Sequence, residues 1–224
     1  MDSFRNREEA GTKLAERLSS LLPESLVLFA VPRGGVPVAL PISRKLKVPI
    51  ELVPIRRIPV PWAPEIEVGY TTDAGELHLN QPLIGQVRLS PHEIYQIAKK
   101  ERKMLQQELA AWGARPVSNL VAKTALIVDD GLHSGWTMFS AVEVIRKMAA
   151  QQITVAAPVS HFRAQRFVKR HCDEMIVLLV ENTPLFHIAD YYREFPDVSD
   201  DQIRSALATD SAASVGRQLD LARA

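Results

Sequence analysis

The stretch that most constrains this chain is residues 124–137, Thr-Ala-Leu-Ile-Val-Asp-Asp-Gly-Leu-His-Ser-Gly-Trp-Thr. Its apolar run, Ala125 to Val128, has the length of a buried strand. Two carboxylates, Asp129 and Asp130, follow at once. A small-residue loop with Gly131, Ser134 and Gly135 comes next. From Thr137 a helical pattern begins, with Ala141, Val144, Ile145 and Met148 on one side. Strand, acidic pair, loop and helix in that order build the carboxyl edge of an open parallel sheet, where α/β proteins bind ligands. Glycines let backbone N–H groups approach an anion, and the helix start adds donors and partial positive charge. Ser134 and Thr137 offer hydroxyl donors, whereas the two acids accept from hydroxyls or face a cation. A sugar phosphate satisfies both halves.

A second turn repeats this logic. Residues 26–31 read as a buried strand, Pro32-Arg33-Gly34-Gly35 as a tight loop, and Val36 to about Leu46 as a helix. Arg33 can pair with phosphate oxygens while Gly34 and Gly35 admit close backbone approach. Residues 50–56 read as another strand, with Arg56 and Arg57 at its carboxyl end. Either could neutralise an anion or simply solvate the strand end.

Ile127 to Thr137 resembles the phosphoribosyl diphosphate signature of the type I phosphoribosyltransferases: a hydrophobic run, two acids, two variable positions, then Thr-Gly-x-Thr. Ser134 replaces the usual Thr, and His133 and Trp136 replace smaller residues. The likeness extends from about Phe4 to Leu207 and is similar to a bacterial subgroup of predicted phosphoribosyltransferases. It includes Val31 to Ala39, Arg56 to Gly69, Asn80, Tyr192-Arg193-Glu194-Phe195 and Val198-Ser199-Asp200. Departures lie at Arg57, Pro59, Trp62 and Ala63, where the subgroup carries Lys, Gly, Gly and Asn.

The resemblance implies a doubly wound α/β fold with a mainly parallel sheet and an inserted β-hairpin flap. It implies a single domain over 1–208, with the flap at about 57–80 and a hood-like loop at about 181–196. It assigns the ribose hydroxyls to Asp129 and Asp130, and the 5-phosphate to Gly131, Leu132, His133, Ser134, Gly135, Trp136 and Thr137. Diphosphate falls to Arg33, Gly34, Gly35, Arg56 and Arg57, with a strained peptide expected within Pro32 to Gly34. Phe186 or Tyr191 would stack on an acceptor base. Magnesium would arrive through the diphosphate, with no direct protein ligand. The implied partners are phosphoribosyl diphosphate and a small base-like acceptor, with a homodimer possible. The alternative is a non-catalytic regulator that binds phosphoribosyl diphosphate or a nucleotide, favoured by Trp136 and the altered flap.

Composition sets bounds. Apolar residues make up 46%, charged residues 24%, and net charge is +1. This suits a globular protein with a core, and gives no pull toward nucleic acid or membrane. The polar start is not expected to be a signal peptide, no apolar run is long enough to span a bilayer, and the single Cys172 excludes an internal disulfide. A cytoplasmic location is expected.

The remaining elements follow from local chemistry. Residues 6–22 predict an amphipathic helix ended by Pro23. Ile58 to Glu65, with three prolines, predicts a stiff extended loop, and Ile66 to Asn80 a hairpin about Asp73-Ala74-Gly75. Ser90-Pro91-His92-Glu93 predicts a capped helix to about Trp112, buried along Ile94, Ile97, Met104, Leu105, Leu109 and Trp112. A strand over 153–157 ends at Pro158, a helix covers 161–171, and a last strand covers 174–180. Ser199 to Gln202 predicts a second capping box opening a helix to about Ala208, and 209–224 a loosely held tail.

Overall fold

The computed structural model describes residues 3–18, 25–115, 117 and 119–208. The tail expected over 209–224, and the end of the first predicted helix, lie outside the described residues. The single domain expected over 1–208 divides into two compact units, Met1–Val53 with Trp112–Ala224, and Pro54–Ala111.

The first unit is an α/β layer structure. Its strands are β1 (Leu26–Ala30), β2 (Ile50–Leu52), β6 (Thr124–Val128), β7 (Gln152–His161) and β8 (Glu174–Glu181). They form one sheet in the order β2-β1-β6-β7-β8, every pair parallel. The runs LVLFA and TALIV have no alternation because a parallel sheet is covered on both faces. Leu28, Phe29, Leu126 and Ile127 are fully buried, and burial of each such side chain stabilises the fold by about 1.5–3 kcal/mol.

Helices α2 (Gly35–Leu46), α5 (Trp136–Lys147) and α6 (Phe162–Val168) make the crossovers, and α1 (Arg7–Leu18) packs on α2. From β1 the chain steps away from β6 to β2, whereas from β6 it steps away from β1 to β7. Right-handed crossovers in opposite directions place α2 and α5 on opposite faces of the sheet. The point of reversal lies between β1 and β6. The loops that leave their carboxyl ends are the arginine loop and the acidic loop.

The second unit is an antiparallel sheet of β3 (Ile55–Val60), β4 (Ala63–Thr72) and β5 (Leu77–Leu79), joined by a short α3 (Gln81–Ile84) to α4 (Pro91–Trp112). It has its own core of Ile58, Val60, Val68, Leu89, Ile94 and Ala98. The flap expected over about 57–80 is thus part of a larger body that includes most of α4. The β4–β5 hairpin turns near Gly75 (φ 95°) as predicted.

Several boundaries are corrected. The strand expected over 50–56 breaks: Pro54 has no N–H to continue the ladder, and Ile55 begins a strand in the other sheet. The stiff loop expected over 58–65 is largely strand; the register shifts on both sides of Pro59, which lets the sheet bypass its missing donor. β7 does not stop at Pro158 but runs to His161, with Ala157 and Val159 still in register with β8. Met104 is 38% exposed rather than buried. Both predicted capping boxes form: Ser90 N–H donates to Glu93 Oε2 at 2.8 Å, and Ser199 N–H to Gln202 Oε1 at 2.9 Å. The last helix, α7, covers 200–208.

Candidate active site

The two loops meet. A Cβ added to Gly34 would run into the Asp130 carboxylate, and one added to Gly35 would stand 2.5 Å from the Val128 carbonyl oxygen. Both positions therefore need glycine for packing. The Pro32–Arg33 peptide is cis, within the tripeptide where an unusual bond is expected. Gly34 and Gly135 are the N-cap residues of α2 and α5, so neither helix is capped by its own N-cap side chain. Both helices start at the sheet's reversal point and turn positive dipole ends toward it. In α2, however, the Gly35 and Val36 amides already donate to the Val31 and Arg33 carbonyls, and Pro37 has no N–H. Helix α2 thus adds its dipole end and no first-turn donor.

Asp129 and Asp130 are each 9% exposed. The Asp130 N–H donates to Asp129 Oδ1 at 2.8 Å. Burial, then the charge of Asp130, push Asp129 well above the usual carboxylate range. Burial also raises Asp130, opposed by Arg7. Arg7 on α1 donates from Nε to Asp130 Oδ2 at 2.8 Å and from a terminal nitrogen to the Pro196 carbonyl at 2.7 Å. Its guanidinium lies over the Phe195 ring, 3.6 Å from the centroid. Tyr192 donates its hydroxyl to the Asp130 carbonyl at 2.6 Å.

The loop from Gly131 to Thr137 follows the acidic pair. Gly135 adopts φ 84°, a conformation that favours glycine, and its α-carbon faces Val168 and Phe167. His133 and Ser134 are exposed, and the Ser134 hydroxyl accepts from Trp136 N–H at 3.3 Å. Leu132 is corrected: its N–H donates to the Val159 carbonyl and its carbonyl accepts from His161, so this amide extends the sheet. A Cβ on Gly131 would press on Ile188. The Trp136 ring packs against Phe139 and Phe167, each at 5.4 Å, between α5 and α6. It does not fill the space between the two loops.

Arg33 donates to Asp200 Oδ1 at 2.6 Å and to the Val198 carbonyl at 3.3 Å, and stacks 5.0 Å from the Trp112 ring centroid. Trp112 Nε1 donates to the same Asp200 oxygen at 3.0 Å, and these two donors hold Asp200 below the usual carboxylate range. Arg56 is corrected. It lies in β3 and pairs with Glu101 at 2.6 Å and Glu108 at 2.5 Å, so it ties α4 to the antiparallel sheet. Arg57 is exposed on the same strand, opposite Tyr70, rather than at the end of a parallel strand. Phe186 and Tyr191 are also corrected. They are 4% and 2% exposed and pack on each other at 5.2 Å, in a cluster with Phe4, Val159 and Tyr192. A stacking platform needs an open face.

Sequence reasoning missed Arg7, Trp112, Tyr192 and Asp200 as neighbours of the site. A signal existed for Arg7: a cation in the first turn of a helix opposes the dipole and asks for a local reason.

The phosphoribosyl transferase domain model matches residues 4–191. The chain is 30% identical over 204 residues to a Mycobacterium tuberculosis H37Rv protein provisionally named a phosphoribosyl transferase, covering 91% of this chain and 46% of that protein. It thus spans about half the length of its curated relatives. The crystal structure of TT1426 from Thermus thermophilus matches with a TM-score of 0.75 and 28% identity over 92% of this chain and 98% of that one. The purine phosphoribosyltransferase of Pyrococcus horikoshii Ot3 matches with a TM-score of 0.50 over 88% of this chain and 98% of that one; at 16% identity it speaks to the fold alone. No helix among the described residues is long and apolar enough to cross a membrane. With the domain match spanning most of its length, the chain belongs to the phosphoribosyl transferase domain family.

Proposed function

We propose that the chain transfers the ribose 5-phosphate group from phosphoribosyl diphosphate to a nitrogen acceptor, a purine, pyrimidine or related base, releasing diphosphate. The observation that supports this most is the meeting of the acidic loop and the arginine loop at the sheet's reversal point, with Gly34 against the Asp130 carboxylate. That arrangement offers hydroxyl acceptors beside two sets of anion donors.

In the reaction the anomeric C–O bond to diphosphate breaks, the ring carbon gains cationic character, and the acceptor nitrogen forms the new bond. The chain's share is orientation and charge placement. The start of α5, with Gly135 and the hydroxyls of Ser134 and Thr137, would hold the 5-phosphate. The acidic pair would take the ribose hydroxyls and face the developing positive charge. Arg33, aided by the dipole end of α2, would take the departing diphosphate. A magnesium ion bound to the diphosphate would neutralise part of its charge. The chain's local donors are two carboxylates, one already paired with Arg7, which fits an ion that keeps its diphosphate and water ligands rather than a protein cage.

A second reading, a regulator that binds the same ligand without turnover, is favoured by that Arg7–Asp130 pair, which commits one oxygen of the carboxylate. Mixing the protein with magnesium, phosphoribosyl diphosphate and a panel of bases separates the two. Base-dependent diphosphate release supports the transferase. Binding with no release for any base supports the regulator, and no binding at all removes both.

A further inference from the structure

The stretches Tyr192-Arg193-Glu194-Phe195 and Val198-Ser199-Asp200 have no part in the chemistry above, yet they touch both halves of the site. At one end Tyr192 donates to the Asp130 carbonyl, and Phe195 and Pro196 hold the guanidinium that binds the Asp130 carboxylate. At the other end Val198 and Asp200 hold Arg33, and Trp112 secures Asp200.

The intervening chain is itself anchored. Arg193 N–H donates to the Phe4 carbonyl and Glu194 N–H to the Arg5 carbonyl, each at 2.9 Å. The rings of Phe4, Tyr192 and Phe195 follow one another at 5.6 and 5.0 Å. Ser199 and Gln202 lock the start of α7. One short segment, fixed along its length, thus ends on the pentose acids at one side and on the diphosphate arginine at the other.

We infer that residues 192–200 form a brace that sets the spacing of the acidic loop and the arginine loop, with Tyr192 and Asp200 as positioning residues. The inference deepens the proposed function and rests on it for the identity of the two ligand halves. The physical reason is geometric. A ligand held at both ends gains from preorganisation only if the two grips stand at its own length, and a misplacement of about 1 Å can cost on the order of 10²-fold in rate. Two loops on adjacent strands share the sheet, but their side chains need a common support.

The test uses two half-ligands, ribose 5-phosphate and inorganic diphosphate with magnesium, measured by calorimetry against two conservative variants. Tyr192→Phe removes one hydroxyl from the acidic half. Asp200→Asn keeps an acceptor for Trp112 but removes the charge facing Arg33. A brace transmits each change across the site: Tyr192→Phe weakens diphosphate about threefold to tenfold, and Asp200→Asn weakens ribose 5-phosphate by a similar factor, with far-ultraviolet dichroism unchanged. Effects confined to the half that carries the substitution overturn the brace, as does tighter diphosphate binding by Asp200→Asn, which would make Asp200 a mere competitor. If the wild-type chain binds neither half-ligand, the proposed function fails while the brace is still decided in the free protein. Faster amide exchange at residues 129–132 in Asp200→Asn upholds it, and unchanged exchange there sinks it.

Discussion

The two loops of the site hold opposite charges in opposite surroundings. Asp130 and its partner Arg7 are 12% and 11% exposed at the side chain, whereas Arg33 and Asp200 are 39% and 47% exposed. The acidic loop keeps its charge in a dry setting where removal of one partner strands the other. The arginine loop keeps its charge beside water, where the pair is screened and contributes little to stability. The acidic half is a dry seat and the arginine half a wet edge.

That contrast can be broken at four places. Arg7→Met strands the Asp130 carboxylate and removes the guanidinium over Phe195; the expected loss is about 3–5 kcal/mol in urea unfolding. A loss near zero would show the acidic half to be as wet as the other. Gly34→Ala drives a methyl group into a carboxylate that Arg7 pins, at an expected cost of about 1–3 kcal/mol and a sharp fall in any transferase rate. Asp130→Ala strands Arg7 and is itself destabilising. In that background Gly34→Ala should cost little further, and additive stability losses would show that the two loops do not touch.

Asp129→Asn works in the other direction. Because the folded state raises the Asp129 pKa, it binds more protons than the unfolded chain above the ordinary carboxylate range. Wild-type stability therefore falls as pH rises through that window, and the amide, which cannot ionise, lacks this fall. Melting from about pH 4 to about pH 8 should show the variant gaining on the wild type as pH rises; parallel curves would place Asp129 in water. The smallest effect is expected for Asp200→Asn, whose thermal midpoint should stay close to that of the wild type. A drop as large as that of Arg7→Met would erase the difference between the two halves.

Much of the fold was readable because its signals are local. The run Ala125–Val128, the acids behind it and the periodicity after Thr137 each state one strand-turn-helix unit. The capping boxes at Ser90 and Ser199 need only residues three apart. Prolines misled in both directions. Pro54 does break a strand, but Pro59 and Pro158 sit within strands that tolerate one missing donor. Arg7 and Asp200 were not assigned to the site because their partners lie 123 and 167 residues away, a distance no periodic pattern spans. Arg56 was misplaced for a related reason: its sheet depends on which strand Pro54 ends, and its partners are on α4.

Trp112 gives the molecule a built-in optical gauge. Its indole N–H is bound to the carboxylate that holds Arg33, and its ring carries that guanidinium. Any anion that binds Arg33 alters the field across the indole, so occupancy of the arginine loop should register as a change in emission colour and intensity. Trp62, 61% exposed, and Trp136, packed on Phe139 and Phe167, also emit, and a variant with Trp62→Phe and Trp136→Phe leaves Trp112 as the reporter.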